Sequence, residues 1–306
     1  MLPHRNTGRK PADGEQGLSE VIGFVLILGL IVIFITLWMT YVVPAEGREN
    51  EIQHMNDVRD WFTQYKITLD SLWINNGDDT LTGMTFSNSL TLGSQGGATQ
   101  AGGFYMPLMK PIGSTGGLSV ANHGERIRIL VNAIERANLT PGALEFTTSN
   151  NYWIAQTYYY QMGGVFLMQE GGTVVRVAPL VGLTNYTDGS IGVRITPVAI
   201  AGSGQSSISG QGPVRVDSSL NTATVSASYT GSNMSVILTL RDDRTALAWE
   251  TALREIRFSR GIPVSSCIIS RSANVVTMDI TAPTVRVTII PANYTVSLQS
   301  IATGVV

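Results

Sequence analysis

The sequence predicts a mainly β protein that begins with one long helix, and three patterns carry this prediction. Between Glu20 and Glu46 lie 25 residues without a charged side chain. An amphipathic helical pattern follows, and from residue 73 onward short β-like runs alternate with turn signals. We therefore expect a single transmembrane helix that continues into an amphipathic helix, and then an antiparallel β-sandwich-like outer domain with one short helix.

The apolar segment at residues 21–43 is long enough to cross a membrane. Its 23 residues span about 34 Å as a helix, compared with the roughly 30 Å hydrocarbon core of a bilayer. It is longer than the apolar part of a cleaved secretory signal, which has about 7–15 residues, and no Ala-x-Ala site closes it. Trp38 and Tyr41, near its end, are residue types that favour the membrane interface. The segment is predicted to stay in the protein as an anchor.

The charges on the two sides of this segment differ. Cations precede it at positions 5, 9 and 10, whereas Arg48 is the one cation in the fifteen residues after Val43 and stands among several acids. Because flanking cations are retained on the cytoplasmic side, this asymmetry places the N-terminus in the cytoplasm and the rest of the chain outside the cell.

The residues at the entrance of the apolar segment carry a resemblance to a known family. Residues 17–23, Gly-Leu-Ser-Glu-Val-Ile-Gly, follow a short basic leader and resemble the N-terminus of archaeal type IV pilin-like proteins. The resemblance implies that a prepilin-type peptidase cuts between Gly17 and Leu18 and leaves the apolar helix on the mature protein. A second register, with cleavage before Gln16, places Glu20 at the fifth mature position but leaves Glu15 before the cut, where a small residue is expected. Residues 116–120 and 158–165 resemble the β-rich outer domain of the same proteins.

Glu20 stands where the apolar segment begins. A carboxylate there is costly unless it stays at the headgroup level or finds a partner. In pilin-like proteins the comparable Glu pairs with the N-terminal amine of a neighbouring subunit, so the resemblance implies an assembly role for Glu20. The competing interpretation is an ordinary carboxylate at the start of a helix, favoured by the helix dipole, with Ser19 as N-cap.

These features divide the chain into four parts. They are a cytoplasmic leader (residues 1–17), a transmembrane and assembly helix (18–44), an amphipathic juxtamembrane helix (45–72) and an extracellular β-rich domain (73–306). A kink is expected near Pro44. The apolar stripe of the juxtamembrane helix needs a partner, either the chain's own β domain, which is the commoner outcome, or the same helix in other copies. The stripe consists of Ile52, Met55, Val58, Phe62, Tyr65, Leu69 and Leu72.

The β-rich part has few charges and turn signals every 8–15 residues or so, which favours an antiparallel sandwich over βαβ units. Apolar residues at 246, 249, 253 and 256 predict the one short helix, which Gly261 and Pro263 end. Alternation along the Tyr158-Tyr159-Tyr160 run places some rings outward, where they would bind sugar or protein. Packing in the core explains the same rings equally well.

Composition and motifs narrow the functional classes. The net charge is −2 with 14% charged residues, so we predict no nucleic-acid partner. The one cysteine, Cys267, is predicted to be a buried strand residue. His123 is the histidine of the β region and has no nucleophile elbow, and zinc motifs are absent from the sequence. The acidic pairs at 78–79 and 242–243 offer calcium-type oxygens without the loop spacing and are interpreted as solvated turns. We predict no enzyme, no cofactor and no metal.

The sequence therefore predicts a membrane-anchored, surface-exposed structural protein of the pilin-like kind, a subunit or minor component of a type IV pilus-like filament or adhesion apparatus. Its expected partners are membrane lipid, a prepilin-type peptidase and other pilin-like subunits. One alternative is a non-polymerising, membrane-tethered domain that binds a ligand or carbohydrate, and another is an outer hydrolase that uses His123. Candidate glycosylation sites are the Asn-x-Ser/Thr sequons at Asn138, Asn185, Asn233 and Asn293.

Overall fold

The computed structural model describes residues 13–76, 80–94, 96, 110–221 and 226–301, and the side chains from residue 20 onward. The chain begins with helix α1 (Asp13–Leu37), passes through a π-helical turn (Trp38–Val42) and continues as helix α2 (Val43–Ile74). The helical residues from Glu20 to Ile74 number 55. Helix α1 begins upstream of the predicted residue 18, so the interpretation of Ser19 as N-cap is wrong.

The π-helical turn has a local cause in Pro44. Proline has no N–H to donate, and its ring clashes with the carbonyl group four residues earlier, which here belongs to Thr40. A π turn widens the helix by one residue at this point. The irregularity expected near Pro44 is therefore present as a wide turn directly before it.

A β-rich domain follows the long helix. In chain order, its first strands are β1 (Thr85–Thr91), β2 (Thr115–Ala121), β3 (Arg126–Val131), β4 (Ile134–Leu139), β5 (Ala143–Ser149), β6 (Thr157–Gln161), β7 (Gly164–Gln169) and β8 (Gly172–Val177). Then come β9 (Val181–Asn185), β10 (Ile191–Ile195), β11 (Val198–Gly202), β12 (Ser207–Gly210), β13 (Pro213–Leu220) and β14 (Ala227–Thr239). Helix α3 (Asp243–Ser259) precedes β15 (Cys267–Ser272), β16 (Val275–Ile289) and β17 (Ala292–Ser300).

The strands form three sheets. A four-stranded sheet has the order β1-β13-β17-β11, and a six-stranded sheet has the order β12-β2-β5-β6-β7-β8. A seven-stranded sheet has the order β4-β3-β14-β16-β10-β9, with β15 also paired to β16. The predicted fold class is confirmed, with one correction: β10 runs parallel to β16 and β11 runs parallel to β17, so two of the sheets are mixed.

The six-stranded sheet is the middle layer, and its strand β6 is buried along its whole length. Successive side chains of a strand point to opposite faces. Tyr158 and Tyr160 therefore join a core shared with α2 and the four-stranded sheet, while Tyr159 joins a second core shared with α3 and the seven-stranded sheet. The prediction that some of these rings face outward is wrong, because both faces of β6 are covered.

Aromatic stacking ties these layers together. Tyr159 stacks on Phe166 with 5.1 Å between ring centroids, and Phe166 packs at 5.3 Å from Trp249 of α3. On the other face, the ring of Tyr160 meets Tyr65 of α2 edge-on at 5.6 Å. Helices α2 and α3 are thus held by opposite faces of one sheet.

Candidate functional site

From Val21 onward, helix α1 is apolar on all sides and is not covered by the described residues of the rest of the protein. Its best 18-residue window has a mean hydropathy of 3.0 with no residue buried, and side chains such as Phe24 and Leu30 are 67% and 70% exposed. Exposed apolar surface of this extent marks a site of contact with a membrane or a partner. By length and composition, α1 is a candidate membrane span.

Helix α2 behaves in the opposite way, because its apolar stripe packs on the β domain of the same chain. Phe62, Tyr65 and Leu69 are fully buried, and Phe62 stacks on Tyr158 with 6.0 Å between ring centroids. The prediction that the stripe docks on its own domain is confirmed. Each large apolar side chain buried in this way contributes about 1.5–3 kcal/mol.

Two hydroxyl contacts fix the position of α2 along the sheet. The Tyr65 hydroxyl lies 2.9 Å from Ser218 Oγ, and the Tyr294 hydroxyl donates to the carbonyl oxygen of Leu69 at 2.6 Å. Burial raises the pKa of both tyrosines well above the ordinary value of 10.0, because a phenolate is poorly solvated between helix and sheet. The interface therefore requires neutral tyrosines.

The first turns of α2 contact the loop before β6. We name this contact the clamp, and it consists of Gly47, Arg48 and Glu51 on the helix and residues 151–153 in the loop. Glu51 is 1% exposed and accepts hydrogen bonds from the backbone N–H groups of residues 151 and 152, at 2.6 and 2.9 Å. These two bonds offset the cost of burying the carboxylate.

The other two clamp residues bring the helix close to the loop. A side-chain carbon at Gly47 would lie 2.4 Å from the Tyr152 ring, so this position needs glycine for lack of space. The guanidinium group of Arg48 lies over the Trp153 ring, 4.4 Å from its centroid. The clamp thus fixes the base of the β domain to the point where the apolar helix ends.

Sequence reasoning missed the clamp, although a signal was present. Gly47 and Glu51 extend the apolar stripe toward the N-terminus at a spacing of four residues, in phase with Met55 and Val58. A glycine and an acid on the buried face of a helix indicate a close approach and a buried hydrogen-bond acceptor. Their partners lie about 100 positions away in the sequence, which a local pattern does not reveal.

The predicted processing and assembly residues lie in α1. Gly17 and Leu18 have helical backbone, and their side chains are outside the described residues. Glu20 is exposed, and the described part of the chain holds no hydrogen-bond or ion-pair partner for it. Among the described residues, Glu20 therefore makes no contact that holds the β domain.

His123 belongs to a polar network at one end of the six-stranded sheet. Its Nε2 atom lies 3.1 Å from Glu145 Oε1, which also accepts from Arg241 at 2.7 Å. The buried Glu125 accepts from the His123 backbone N–H at 2.9 Å and from Gln161 Nε2 at 3.0 Å. Within the described ranges no serine hydroxyl reaches His123, so these contacts do not assemble a Ser-His-acid triad.

The remaining acidic and cysteine positions have structural contacts. Asp242 caps α3 by accepting from the Thr245 backbone N–H at 2.7 Å, and Asp243 pairs with Arg271. The pair at 78–79 lies outside the described residues. No group of three or more His, Cys, Asp or Glu residues is placed to hold a metal in the part of the chain that the structure describes. Cys267 is buried in β15, as predicted, and burial raises the pKa of its thiol to about 11.

The four sequons lie in strands of two sheets. Asn138, Asn185 and Asn233 are exposed, whereas Asn293 is half-buried within β17. Asn138 Nδ2 donates to Glu135 Oε1 at 3.1 Å, and Asn185 Nδ2 donates to the carbonyl oxygen of Gly261 at 3.0 Å. Attachment of a glycan therefore requires an exchange of these contacts at Asn138 and Asn185.

The fold and the site together define a β-rich domain carried on one long helix, of which the first half is a candidate membrane span. No protein-family model, no curated protein and no solved structure matches the chain.

Proposed function

We propose that this protein is a membrane-anchored, surface-exposed structural subunit of the type IV pilin-like kind, which serves in a filament or adhesion apparatus. One observation carries the proposal: the apolar half of a continuous helix is left uncovered, while the other half is buried along the β domain. A helix of this form holds a folded domain at a fixed distance from a membrane. The proposed role is one of display and assembly, without a catalytic step.

The proposed topology follows from the charges around the span. The basic leader stays in the cytoplasm, α1 contacts lipid, and the β domain lies outside the cell. A prepilin-type peptidase then cuts between Gly17 and Leu18, or before Gln16, and releases a new N-terminal amine close to Glu20. Support for this step comes from the sequence of residues 17–23 and from their place at the lip of the uncovered helix.

Assembly is proposed to occur through lateral packing of α1 against α1 of other subunits. A side-chain carbon placed at Gly23 or Gly29 would meet no atom within 4 Å, so both positions leave room for a second helix. Glu20 would pair with the N-terminal amine of an adjacent subunit, which removes the cost of an isolated charge at the membrane. The β domains are then arrayed on the outer side.

Sequencing the N-terminus of the mature protein tests the processing step. A start at Leu18 or Gln16 supports the proposal, and an intact Met1 contradicts it.

Fractionation of filaments sheared from the cell surface tests assembly. We expect the protein in the filaments, and we expect Glu20→Gln to deplete it from them. Glu49→Gln is the matched control, because Glu49 is an exposed acid on α2 beyond the apolar segment.

A second candidate function is a membrane-tethered binding domain that does not polymerise. One observation favours it: the apolar stripe of α2 is buried on the chain's own β domain, so it does not serve for contacts between copies. Recovery of the protein in the membrane fraction alone, never in filaments, would identify this function.

A further inference from the structure

A groove of about 560 Å³ crosses the outer face of the seven-stranded sheet. The inward residues Leu183, Val193 and Val287 belong to the core, so their neighbours along β9, β10 and β16 face outward. The strand register places these outward residues in two rows across the four strands β9, β10, β16 and β14. The first row is Thr184, Gly192, Arg286 and Thr230, and the second is Gly182, Arg194, Thr288 and Ser228.

Two glycines make this face concave. Gly182 leaves a gap in a row that otherwise carries hydroxyl and guanidinium groups, and Gly192 makes room for the ring of Tyr186. A side-chain carbon at Gly192 would lie 2.9 Å from the Tyr186 ring, so the ring closes one end of the groove over this glycine. Tyr186 is 41% exposed, and the Arg286 guanidinium lies over its ring at 5.1 Å from the centroid.

The groove is positively charged. Arg194, Arg260 and Arg286 are exposed and line it, and no acid lines it among the described residues. Asp188 pairs with Arg286 at 3.2 Å, whereas Arg194 and Arg260 have no carboxylate partner within the residues that the structure describes. Two guanidinium groups are therefore available for a ligand.

The groove also continues along the protein. A second hollow of about 240 Å³ shares Gly182 and Arg194 with it and ends at Trp73, in the last turn of α2. The two hollows together are lined from the end of α2 to β14, with Gly182 and Arg194 common to both, and this extent suits a chain-like ligand.

We propose that this groove binds an acidic oligosaccharide, that is, a chain of sugars that carry carboxylate groups. Guanidinium groups bind carboxylates with two parallel hydrogen bonds, and the rows of Ser and Thr hydroxyls match the hydroxyl groups of a sugar. The floor offers hydroxyls in place of the apolar pockets that anchor a protein partner. This binding is independent of polymerisation and goes beyond the role of structural display.

Titration calorimetry on the full chain in detergent tests the proposal, with a galacturonate tetrasaccharide as probe and the neutral maltotetraose for comparison. We expect the acidic probe to bind, with weaker affinity at higher salt, and the neutral one not to bind. Arg194→Gln should lower the affinity by about tenfold or more, because a charge-assisted contact is lost, and Arg260→Gln should lower it as well. Both side chains are exposed, so neither variant disturbs the core.

Arg126→Gln is the matched control, because Arg126 is exposed on β3 of the same sheet and lies outside the groove. Its affinity should equal that of the unmodified protein. Absence of binding by the acidic probe overturns the proposal, as does an equal loss in Arg126→Gln and Arg194→Gln. Tighter binding of a polyglutamate peptide than of the acidic sugar also overturns it and indicates an acidic protein partner.

Discussion

Helices α1 and α2 are two halves of one continuous helix, and they differ in how their apolar side chains are covered. The described residues of α1 are exposed or half-exposed around the whole circumference, whereas α2 buries one stripe and leaves its charged face in water. An all-apolar circumference needs an apolar solvent, and a stripe needs a single folded partner. The helix thus changes from uncovered to partly buried at the π turn before Pro44, which in the proposed topology is where it leaves the membrane.

The largest expected effect comes from alkaline pH, which acts on α2 and on the β domain against which it packs. Burial raises the pKa of Tyr159 to about 12 and also raises those of Tyr65, Tyr160 and Tyr294 well above the ordinary value of 10.0. The tyrosine stabilisation is fully present below pH 10 and is lost as the pH rises, because the unfolded chain ionises first. For each such tyrosine, the free energy of unfolding falls by roughly 1.4 kcal/mol per pH unit between pH 10 and the pKa in the folded protein.

We therefore expect the β domain and α2 to unfold cooperatively before pH 12, while α1 keeps its helix in the membrane. Tryptophan fluorescence follows the domain, and oriented circular dichroism in bilayers follows the anchor. A domain as stable at pH 11.5 as at pH 8 would contradict the burial of these four phenols.

Truncation of the α2 stripe has the next largest effect. Phe62→Ala removes a fully buried ring and should cost about 3–5 kcal/mol of unfolding free energy, because a cavity remains between helix and sheet. Ile67→Ala, on the outer face of α2 where the side chain is 55% exposed, should change it by less than about 0.5 kcal/mol. Urea unfolding measures both variants. Equal losses would show that α2 does not use one face.

A charge in the uncovered helix tests the other half of the comparison. Leu30→Arg should disfavour membrane insertion by about 2.5–3.5 kcal/mol, because the residue lies near the centre of the apolar segment. The protein should shift toward the soluble fraction, and the urea midpoint of its β domain should stay the same. A destabilised β domain would indicate that α1 packs on protein.

Removal of the clamp charge is expected to have the smallest effect of the four. Glu51→Gln replaces one acceptor oxygen with an N–H₂ group that faces a backbone N–H, so we expect a loss of about 1–3 kcal/mol. Glu49→Gln, exposed on the same turn, should leave stability unchanged. If Glu51→Gln also leaves it unchanged, the clamp does not hold the helix.

The sequence predicts the helical part well because its signals are local. The uncharged run and the stripe from Met55 to Leu69 are readable within a few turns. The structure leaves the run uncovered by the rest of the protein and buries the stripe on the β domain. The partner of Glu51 is a loop about 100 residues away, and no local pattern contains that information.

The β domain is less predictable, because the role of each residue depends on pairing between distant strands. The parallel alignment of β10 with β16 joins segments about 94 positions apart, and no turn signal encodes it. The burial of both faces of β6 follows from a third layer, which alternation along one strand does not reveal. The groove depends on the register of four strands and on the end of α3, which carries Arg260, so Arg194 and Arg260 could not be grouped from the sequence.

Cysteine accessibility in sealed vesicles tests the central claim most directly, namely that α1 lies in lipid while α2 lies on its own β domain. In a Cys267→Ser background, we would place single cysteines by Leu30→Cys, Phe62→Cys and Ile67→Cys and add a membrane-impermeant maleimide. We predict immediate labelling of Ile67→Cys without urea and labelling of Phe62→Cys only after urea is added. Leu30→Cys should not be labelled with or without urea. Labelling of Leu30→Cys without urea would contradict the account.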